Sequence, residues 1–468
     1  MSFELRTYQS DIISEARSVM QRGVKNILIT APTGSGKTVL TATMINNSFK
    51  KGLRSMFIVH RRELIKQSVA TLKRAGVNPG VIASGFDPDY KNPVQVASIQ
   101  SLTRRLDKVV MPDLVVWDEC HHIASKTWSD SFNLFENSFQ VGLTATPERL
   151  DGKGLSDYFK YMVQGPDMSW LIDNGFLSKY KVYAPTKPNL KGIHRTMGDY
   201  HKSSLEEVMI SPKIIGDTVK EYSKLAHGKR AVIFAVSVKH SMAVVDTFNE
   251  HGIPAAHVDG KSSAVLRDRA IQDFADGKIK ILSNVGLFGE GFDLPAIEAC
   301  ILLRPTQSLG LYLQMVGRAL RPSPGKEHAI ILDHTGNILR HGLPCHERKW
   351  SLTGTPWKER KKEQEAGSVK ICESCFGAFK VGASKCPHCG EFIQVNQDLP
   401  DTEDGNLQEI AIEKLKKDIN KKKKYSEQAK AQTLDELYQL GVKRGYKNPR
   451  GWAKHMFNAR QAKRNRGY

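Results

Sequence analysis

Ala31-Pro32-Thr33-Gly34-Ser35-Gly36-Lys37-Thr38 follows an apolar run, Ile27-Leu28-Ile29, and precedes a segment with helical patterning from Val39 to Phe49. Strand, glycine-rich loop and helix are the setting that a phosphate-binding loop requires. Thr33, Gly34, Ser35 and Gly36 present successive backbone N–H groups to a phosphate, and the helix N-terminus adds partial positive charge. The two glycines accept positive φ and let the chain approach closely. Lys37 is placed to reach the terminal phosphates, and the Thr38 hydroxyl to ligate Mg²⁺. Position 31 holds Ala where the general pattern has Gly. A plain Gly/Ser turn is the alternative, but it explains neither the preceding strand nor Gly-Lys-Thr at the helix start.

The chain has 468 residues, too many for one core, so two large domains with smaller appendages are expected. Its net charge of +20 suits a polyanionic partner, without choosing among DNA, RNA and acidic lipid. The N-terminus lacks the apolar core of a signal peptide, and no run approaches eighteen apolar residues, so no membrane association is expected. Seven cysteines, four of them in two C-x-x-C pairs, read as metal ligands in a reducing, cytoplasmic compartment rather than as a disulfide framework.

Around the loop lie further signals. A helix from Leu5 to about Met20 carries Gln9, whose amide suits an adenine edge, with Arg6 or Tyr8 beside it to flank the base. Arg54–His60 and Pro93–Ser98 read as strands of an open sheet, whose carboxyl ends face ligand. Arg61, Arg62, Ser98 and Gln100 are therefore candidates to touch a nucleic-acid backbone; a solvated helix start is the alternative for the arginines. Leu114-Val115-Val116-Trp117 fits a strand buried on both faces, with Asp118-Glu119 at its exit. Behind a phosphate loop, Asp118 holds Mg²⁺ and Glu119 polarises the attacking water. Val141 to Pro147 adds a strand and turn whose threonines, Thr144 among them, can link the nucleotide to a groove.

Asp151 to about Lys229 is less regular, with a crossover near Gly175–Tyr180, and the α/β pattern resumes at Arg230. Asn284–Pro295 is a long glycine-spotted loop in which Gly291 and Asp293 suit contact with nucleotide and nucleic acid. Gln314, Arg318 and Arg321, spaced four and three apart, share one face if helical, and the arginines are candidate fingers for transition-state charge.

The order APTGSGKT, DECH, LTATP, QMVGRALR resembles the superfamily 2 DExH-box helicases, most closely those of the RadD type from bacteria and similar phage enzymes. The resemblance covers residues 3 to 340 and the cysteine ribbon in kind. It implies an α/β fold of two tandem RecA-like domains, 1–177 and 178–349, hydrolysing ATP with Mg²⁺ between them. Lys37, Thr38, Asp118, Glu119, Arg318 and Arg321 would form the hydrolytic site, and His121, Thr144, Thr146 and Gln314 would couple it to the DNA track. The implied task is remodelling of single-stranded or branched DNA in recombination and repair; an RNA-directed ATPase is the alternative. A monomer is expected in a bacterial cell or phage-infected host, with a single-strand-binding protein or recombinase as further partner.

Beyond a linker at 350–367, Cys372-x-x-Cys375 and Cys386-x-x-Cys389 read as a structural Zn²⁺ ribbon over 368–396, with His388 a bystander. A charged linker, 397–430, precedes a basic helical tail, 431–468. Thr433 and Glu436 form a capping-box pattern there, and a second helix is expected from Ala453 to Ala462. From Gly441 to Tyr468 there are nine Lys/Arg and no Asp or Glu. Lys443, Arg444 and Arg450 are its candidate phosphate contacts.

Overall fold

The computed structural model describes residues 4–60, 63–148, 153–184, 190, 193, 195–196, 199–287, 297–354, 369–381, 383–392, 431, 433–446 and 448–464. Arg61, Arg62, Gly291, Asp293 and the whole of 397–430 lie outside the described residues, as does most of the segment expected as a linker at 350–367.

The first lobe is a seven-stranded parallel sheet. Its strands are β1 (Asn26–Thr30), β2 (Ser55–Val59), β3 (Gly80–Ile82), β4 (Val94–Ser98), β5 (Leu114–Trp117), β6 (Phe139–Thr144) and β7 (Tyr161–Gln164), in the order β3-β4-β2-β5-β6-β1-β7. Every residue of β2, β4 and β5 is buried, as continuous apolar strands covered on both faces require. β1 pairs with β6 and β7, so the phosphate loop leaves the sheet between the ends of those two strands.

The second lobe is a six-stranded parallel sheet. It comprises β8 (Lys179–Tyr183), β11 (Ala231–Phe234), β12 (Ala255–Asp259), β13 (Ile281–Val285), β14 (Ala299–Leu302) and β15 (His328–Asp333), in the order β12-β13-β11-β14-β15-β8. A two-residue hairpin, β9 (Arg195–Thr196) with β10 (Asp199–Tyr200), precedes the helices Lys202–Met209 and Pro212–Leu225. The stretch expected to be less regular thus carries two edge strands, β7 and β8, the β9–β10 hairpin and three helices, Met168–Asp173 being the first. Lys179-Tyr180-Lys181-Val182-Tyr183 hides from an apolar-run search because an edge strand keeps charged residues on its exposed side.

Two other expectations are corrected. The helix Leu309–Ala319 stops before Arg321, so Arg318 and Arg321 do not share a helical face. Arg321 precedes Pro322, and the proline ring disfavours the α region for the residue before it. The cysteine ribbon, read as an appendage, is docked: Ala184 N donates to Phe376 O at 3.0 Å and Tyr183 bridges antiparallel to Gly377. Its hairpin, β16 (Val369–Ile371) with β17 (Ala378–Lys380), therefore continues from the exit of β8. Leu352 returns to the first lobe, where its carbonyl accepts from Ser156 N at 2.9 Å. One apolar cluster runs through both lobes and includes Leu171 and Leu177 with Leu313 and Val316.

Residues 395–468 form a separate compact unit. Its helix Leu434–Lys443 carries the capping box, Thr433 N donating to Glu436 Oε2 at 2.9 Å and Glu436 N to Thr433 Oγ1 at 3.2 Å. The next helix, Pro449–Arg464, begins earlier than expected, with proline at its first position, where a missing N–H costs nothing. Leu437, Ala431 and Ala453 are its buried centre, with Trp452 packed against them. Among the described residues no helix is long and apolar enough to cross a membrane.

Candidate nucleotide site

Gly34 and Gly36 hold φ of 89° and 86°, so the turn into the helix Lys37–Phe49 needs residues without a Cβ. Lys37 Nζ donates to Ala31 O at 3.2 Å, and Thr38 is exposed on the first helical turn. Ser35 is buried, and its carbonyl accepts from Tyr8 OH at 2.7 Å and Gln9 Nε2 at 3.0 Å. Gln9 Oε1 accepts from Arg6 N at 3.1 Å, so one end of the Gln9 amide caps its own helix and the other ties that helix to the loop, leaving neither end facing outward to an adenine edge. Arg6 lies 4.8 Å over the Phe176 ring, and Tyr8 packs edge-on against Phe176 and Trp170. Trp170 and Phe176 were not foreseen; they are distant in sequence, and isolated aromatics carry no local signal.

Asp118 N donates to Ile58 O at 2.9 Å, carrying the ladder one step past β5. Glu119 then turns sharply, with φ 46° and ψ 51°. A left-handed glutamate costs on the order of 1–3 kcal/mol, a strain that functional sites tend to hold. Its side chain is buried, at 5 % exposure. His121 Nδ1 lies 3.4 Å from Glu119 Oε2 and 3.2 Å from Thr144 Oγ1. Thr144 sends its own proton to Thr146 O at 3.0 Å and accepts from Thr146 N at 3.1 Å, so His121 Nδ1 is the donor between them. Burial, reinforced by the Glu119 and Asp118 charges, pushes the Cys120 thiol well above its usual range and keeps it inert.

From the second lobe, the helix Leu309–Ala319 meets this arrangement at both ends. A Cβ on Gly310 would lie 2.8 Å from Thr146 Oγ1, and one on Gly317 2.7 Å from Thr33 Cβ. A Cβ on Gly34 would lie 3.8 Å from Arg321 Cγ and 3.9 Å from Gly317 O. Gln314 and Arg318 are buried between these contacts, each at 3 % exposure. The geometry thus brings Thr33, Gly34, Gly317 and the stem of Arg321 to one place. Ser308 caps the helix, and the turn before it is held by Asp199, whose carboxylate accepts from Thr306 Oγ1 and Gln307 N, both at 2.7 Å. Asp199 lies in the stretch expected to be irregular, and only tertiary contact reveals its part.

The nucleic-acid candidates are scattered. Ser98 is buried, and its hydroxyl accepts from Ser101 N at 3.4 Å, capping a short helix instead of facing solvent. Gln100 is exposed and donates to His60 O at 3.0 Å. Thr144 is buried in the His121 relay. In the C-terminal unit Lys443 is exposed, Arg444 lies 5.9 Å over Trp452, and Arg450 lies 5.6 Å over Tyr438.

The ribbon's four thiols lie within 4.8 Å of one another, and no other group of three or more such ligands occurs among the described residues. Cys372 and Cys389 are 3.8 Å apart and Cys375 and Cys386 3.7 Å, too far for disulfides. Tetrahedral Zn²⁺ with Zn–S of about 2.3 Å requires sulfurs about 3.8 Å apart, so the thiols fit it. His388 is engaged elsewhere, its Nε2 3.1 Å from Ala378 O.

Residues 2–149 match the family model described as the type III restriction enzyme res subunit, and residues 213–323 that of the helicase conserved C-terminal domain. A 51.5 kDa protein of a Lactococcus phage is 33% identical over 404 residues, 86% of each chain. The DNA 3'-5' translocase XPB2 of Sulfurisphaera tokodaii is 25% identical over 362 residues, 68% of this chain and 79% of its own. The type ISP restriction–modification enzyme LlaBIII, solved bound to DNA, matches with a TM-score of 0.56 at 17% identity, over 78% of this chain and 29% of that one, which is a likeness of fold.

Proposed function

Because the chain belongs to the superfamily 2 helicases, and so is a nucleic-acid-dependent ATPase that requires ATP and Mg²⁺, we propose that it is a DNA translocase or helicase acting on single-stranded or branched DNA in recombination, repair or replication. This reading adopts the task of the RadD-type enzymes, whose motif order the sequence resembles. The observation that carries the site is the seating of the helix Leu309–Ala319 on the phosphate loop, with Arg321 Cγ within 4 Å of a Cβ on Gly34.

In this reading residues 33–37 cradle the phosphates, and Thr38 and Asp118 would hold Mg²⁺, which when bound would supply charge neutralisation at the phosphates. Glu119 takes the proton of the attacking water as its oxygen bonds to the γ-phosphorus, and the β–γ bridging oxygen leaves with ADP. Arg318 and Arg321 stabilise the charge on the transferring group. Arg6, Gly291 and Asp293 complete the nucleotide pocket, and Gln9 acts through the loop whose Ser35 carbonyl it holds. His121, Thr144, Thr146 and Gln314 carry its state toward the DNA track, with Arg61, Arg62 and Gln100 beside that track and Ser98 capping the short helix that holds Gln100. Closure on ATP and opening on ADP then shift the two lobes between states, because the finger contacts need the γ-phosphate. The assignment of the lobes to 1–177 and 178–349 belongs to the same proposal, as do a monomeric state, a cytoplasmic setting and a single-strand-binding protein or recombinase as partner.

ATPase rate titrated with single strands, forks, four-way junctions and RNA tests the substrate. Stimulation by DNA, greatest for the branched forms, is expected; equal or greater stimulation by RNA would favour an RNA-directed ATPase. We also assign DNA binding to Lys443, Arg444 and Arg450. Deleting residues 395–468 should leave the ATPase without DNA intact while weakening DNA binding. The slope of log K against log salt should shallow by about 0.9 for each phosphate that the shortened chain no longer neutralises. An unchanged affinity and slope would remove the tail from the interface.

The ribbon's proposed Zn²⁺ is structural, since a unit this small buries too little core to hold itself. About one zinc per chain is expected by metal analysis, with Cys386→Ser abolishing it. Because Phe376 and Gly377 cover the exit of β8, chelation should also lower the melting temperature. A metal-free protein of unchanged melting behaviour would refute this role.

A further inference from the structure

Lys326 lies in the turn between the helix Leu309–Ala319 and β15. Its ammonium donates to three backbone carbonyls: Ile297 O at 2.8 Å, Arg321 O at 2.8 Å, and Ala319 O. These lie on two segments of the second lobe, the end of the helix at 319–321 and the chain before β14. Ala319 closes the helix that carries Arg318, Arg321 is the second arginine itself, and Ile297 follows the glycine-spotted loop. Three donors are the full complement of an ammonium. The same short stretch is gripped from the interlobe crossover, where Ser178 N donates to Leu320 O at 2.8 Å and Ser178 Oγ to Arg321 O at 3.3 Å. Leu177, the next residue back, abuts the phosphate loop, its Cδ2 2.8 Å from a Cβ on Gly34.

We propose that Lys326 is a positioning residue for ATP hydrolysis, its ammonium fixing the helix end and the Arg321 backbone so that Arg318 and Arg321 meet the nucleotide. The proposal rests on the reading of those two arginines as fingers. A helix whose last carbonyls are unheld frays, and Arg321 sits beyond the end of the helix at Ala319. Lys326 holds the Ala319 and Arg321 carbonyls together and ties them to the chain before β14. Hydrolysis then feels Lys326 through the geometry of the arginines, while binding of ATP to the first lobe does not.

The charge of Lys326 matters to this role. Burial pulls its ammonium down to about 8, with Glu298 opposing the shift. Glu298 is itself engaged by Lys229 Nζ at 3.2 Å and Arg230 N at 3.1 Å, and Arg321 is the charged neighbour on the turn. Above that pH the neutral amine has two N–H groups for three carbonyls. The two consequences have opposite signs. Between about pH 8 and 10.5 the unfolded chain binds more protons at this site than the folded one, so its contribution to stability rises with pH. Turnover over the same range falls.

The test is kcat and KM for ATP, melting temperature and a pH profile at saturating DNA, for wild type, Lys326→Met, Lys326→Arg, Arg318→Ala and Arg321→Ala. Lys326→Met should lower kcat about tenfold to a hundredfold, the scale of a misplaced catalytic group, with KM within about twofold. Lys326→Arg should recover part of the loss and lose the alkaline limb near pH 8 that wild type shows without a parallel fall in melting temperature. Wild-type kcat in Lys326→Met, a fall shared equally by KM and melting temperature, or an alkaline limb that persists in Lys326→Arg would overturn the proposal. Should Lys326→Met fail to fold, the wild-type and Lys326→Arg profiles decide alone. If Arg318→Ala and Arg321→Ala both keep turnover, the finger reading falls and this inference with it. If they lose turnover and Lys326→Met does not, only the role of Lys326 falls.

Discussion

Lys37→Ala is expected to abolish hydrolysis, with DNA-stimulated phosphate release falling by at least about a thousandfold. Lys37 follows directly on Gly36, the left-handed residue that starts the helix Lys37–Phe49, so its ammonium rises beside the backbone N–H groups of the loop. In the structure it reaches Ala31 O at 3.2 Å. That contact spans the loop, so the ammonium sits over the space the loop encloses. A cation preorganised on the transferring phosphoryl group acts in the transition state, where the loss of even one neutral donor costs about 10²–10³ in rate. ATP affinity should weaken as well, because the same ammonium meets the ground-state phosphates. Folding should change little: Lys37 is half-buried, and one backbone hydrogen bond contributes about 1 kcal/mol. A melting temperature near that of wild type, together with lost turnover, is the expected pair of results. Hydrolysis retained above a tenth of the wild-type rate would refute the placing of the nucleotide at this loop.

Glu119→Gln separates chemistry from binding. The substitution keeps size and the capacity to accept a hydrogen bond, and it removes the basic oxygen. Loss of a positioned general base costs about 10²–10⁴ in rate, so kcat should fall on that scale while ATP and DNA affinities stay near wild type. The left-handed turn is retained by either residue, since the strain belongs to the backbone at φ 46°. His121 Nδ1, 3.4 Å from Glu119 Oε2, also bonds Thr144 Oγ1 and so stays anchored when the carboxylate is replaced. Single-turnover hydrolysis and nucleotide affinity measured on one preparation decide the matter. An unchanged kcat, or a loss carried wholly by weaker ATP binding, would take the base role from Glu119.

The α/β plan in two lobes was legible because its signals are local. Ile27–Ile29 before a glycine loop, and Leu114–Trp117 before two carboxylates, each carry strand, turn and helix within a dozen residues. The capping box at Thr433 and Glu436 was legible for the same reason: two residues three apart hold the whole interaction. What escaped depends on partners far along the chain. β8 is identifiable only once β15 lies beside it, because an edge strand with two lysines has no apolar run. Asp199 matters through Thr306 and Gln307, over a hundred residues on. Trp170 and Phe176 matter through Tyr8 and Arg6 at the other end of the first lobe.

By itself, then, the sequence determined which groups the chain carries for chemistry: the amides of a glycine loop, a lysine, paired carboxylates, two arginines and four thiols, each specified by residue type and short spacing. Tertiary structure decided what those groups face. It ended the helix at Ala319 and turned Arg321 beside Gly34, bound Gln9 to the phosphate loop, buried Ser98 in a cap, and set the ribbon against the exit of β8. The physical reason is range. Backbone propensity and motif spacing act over a few residues. The direction of a side chain is settled by packing and hydrogen bonds between segments that meet only when the sheets and lobes have assembled.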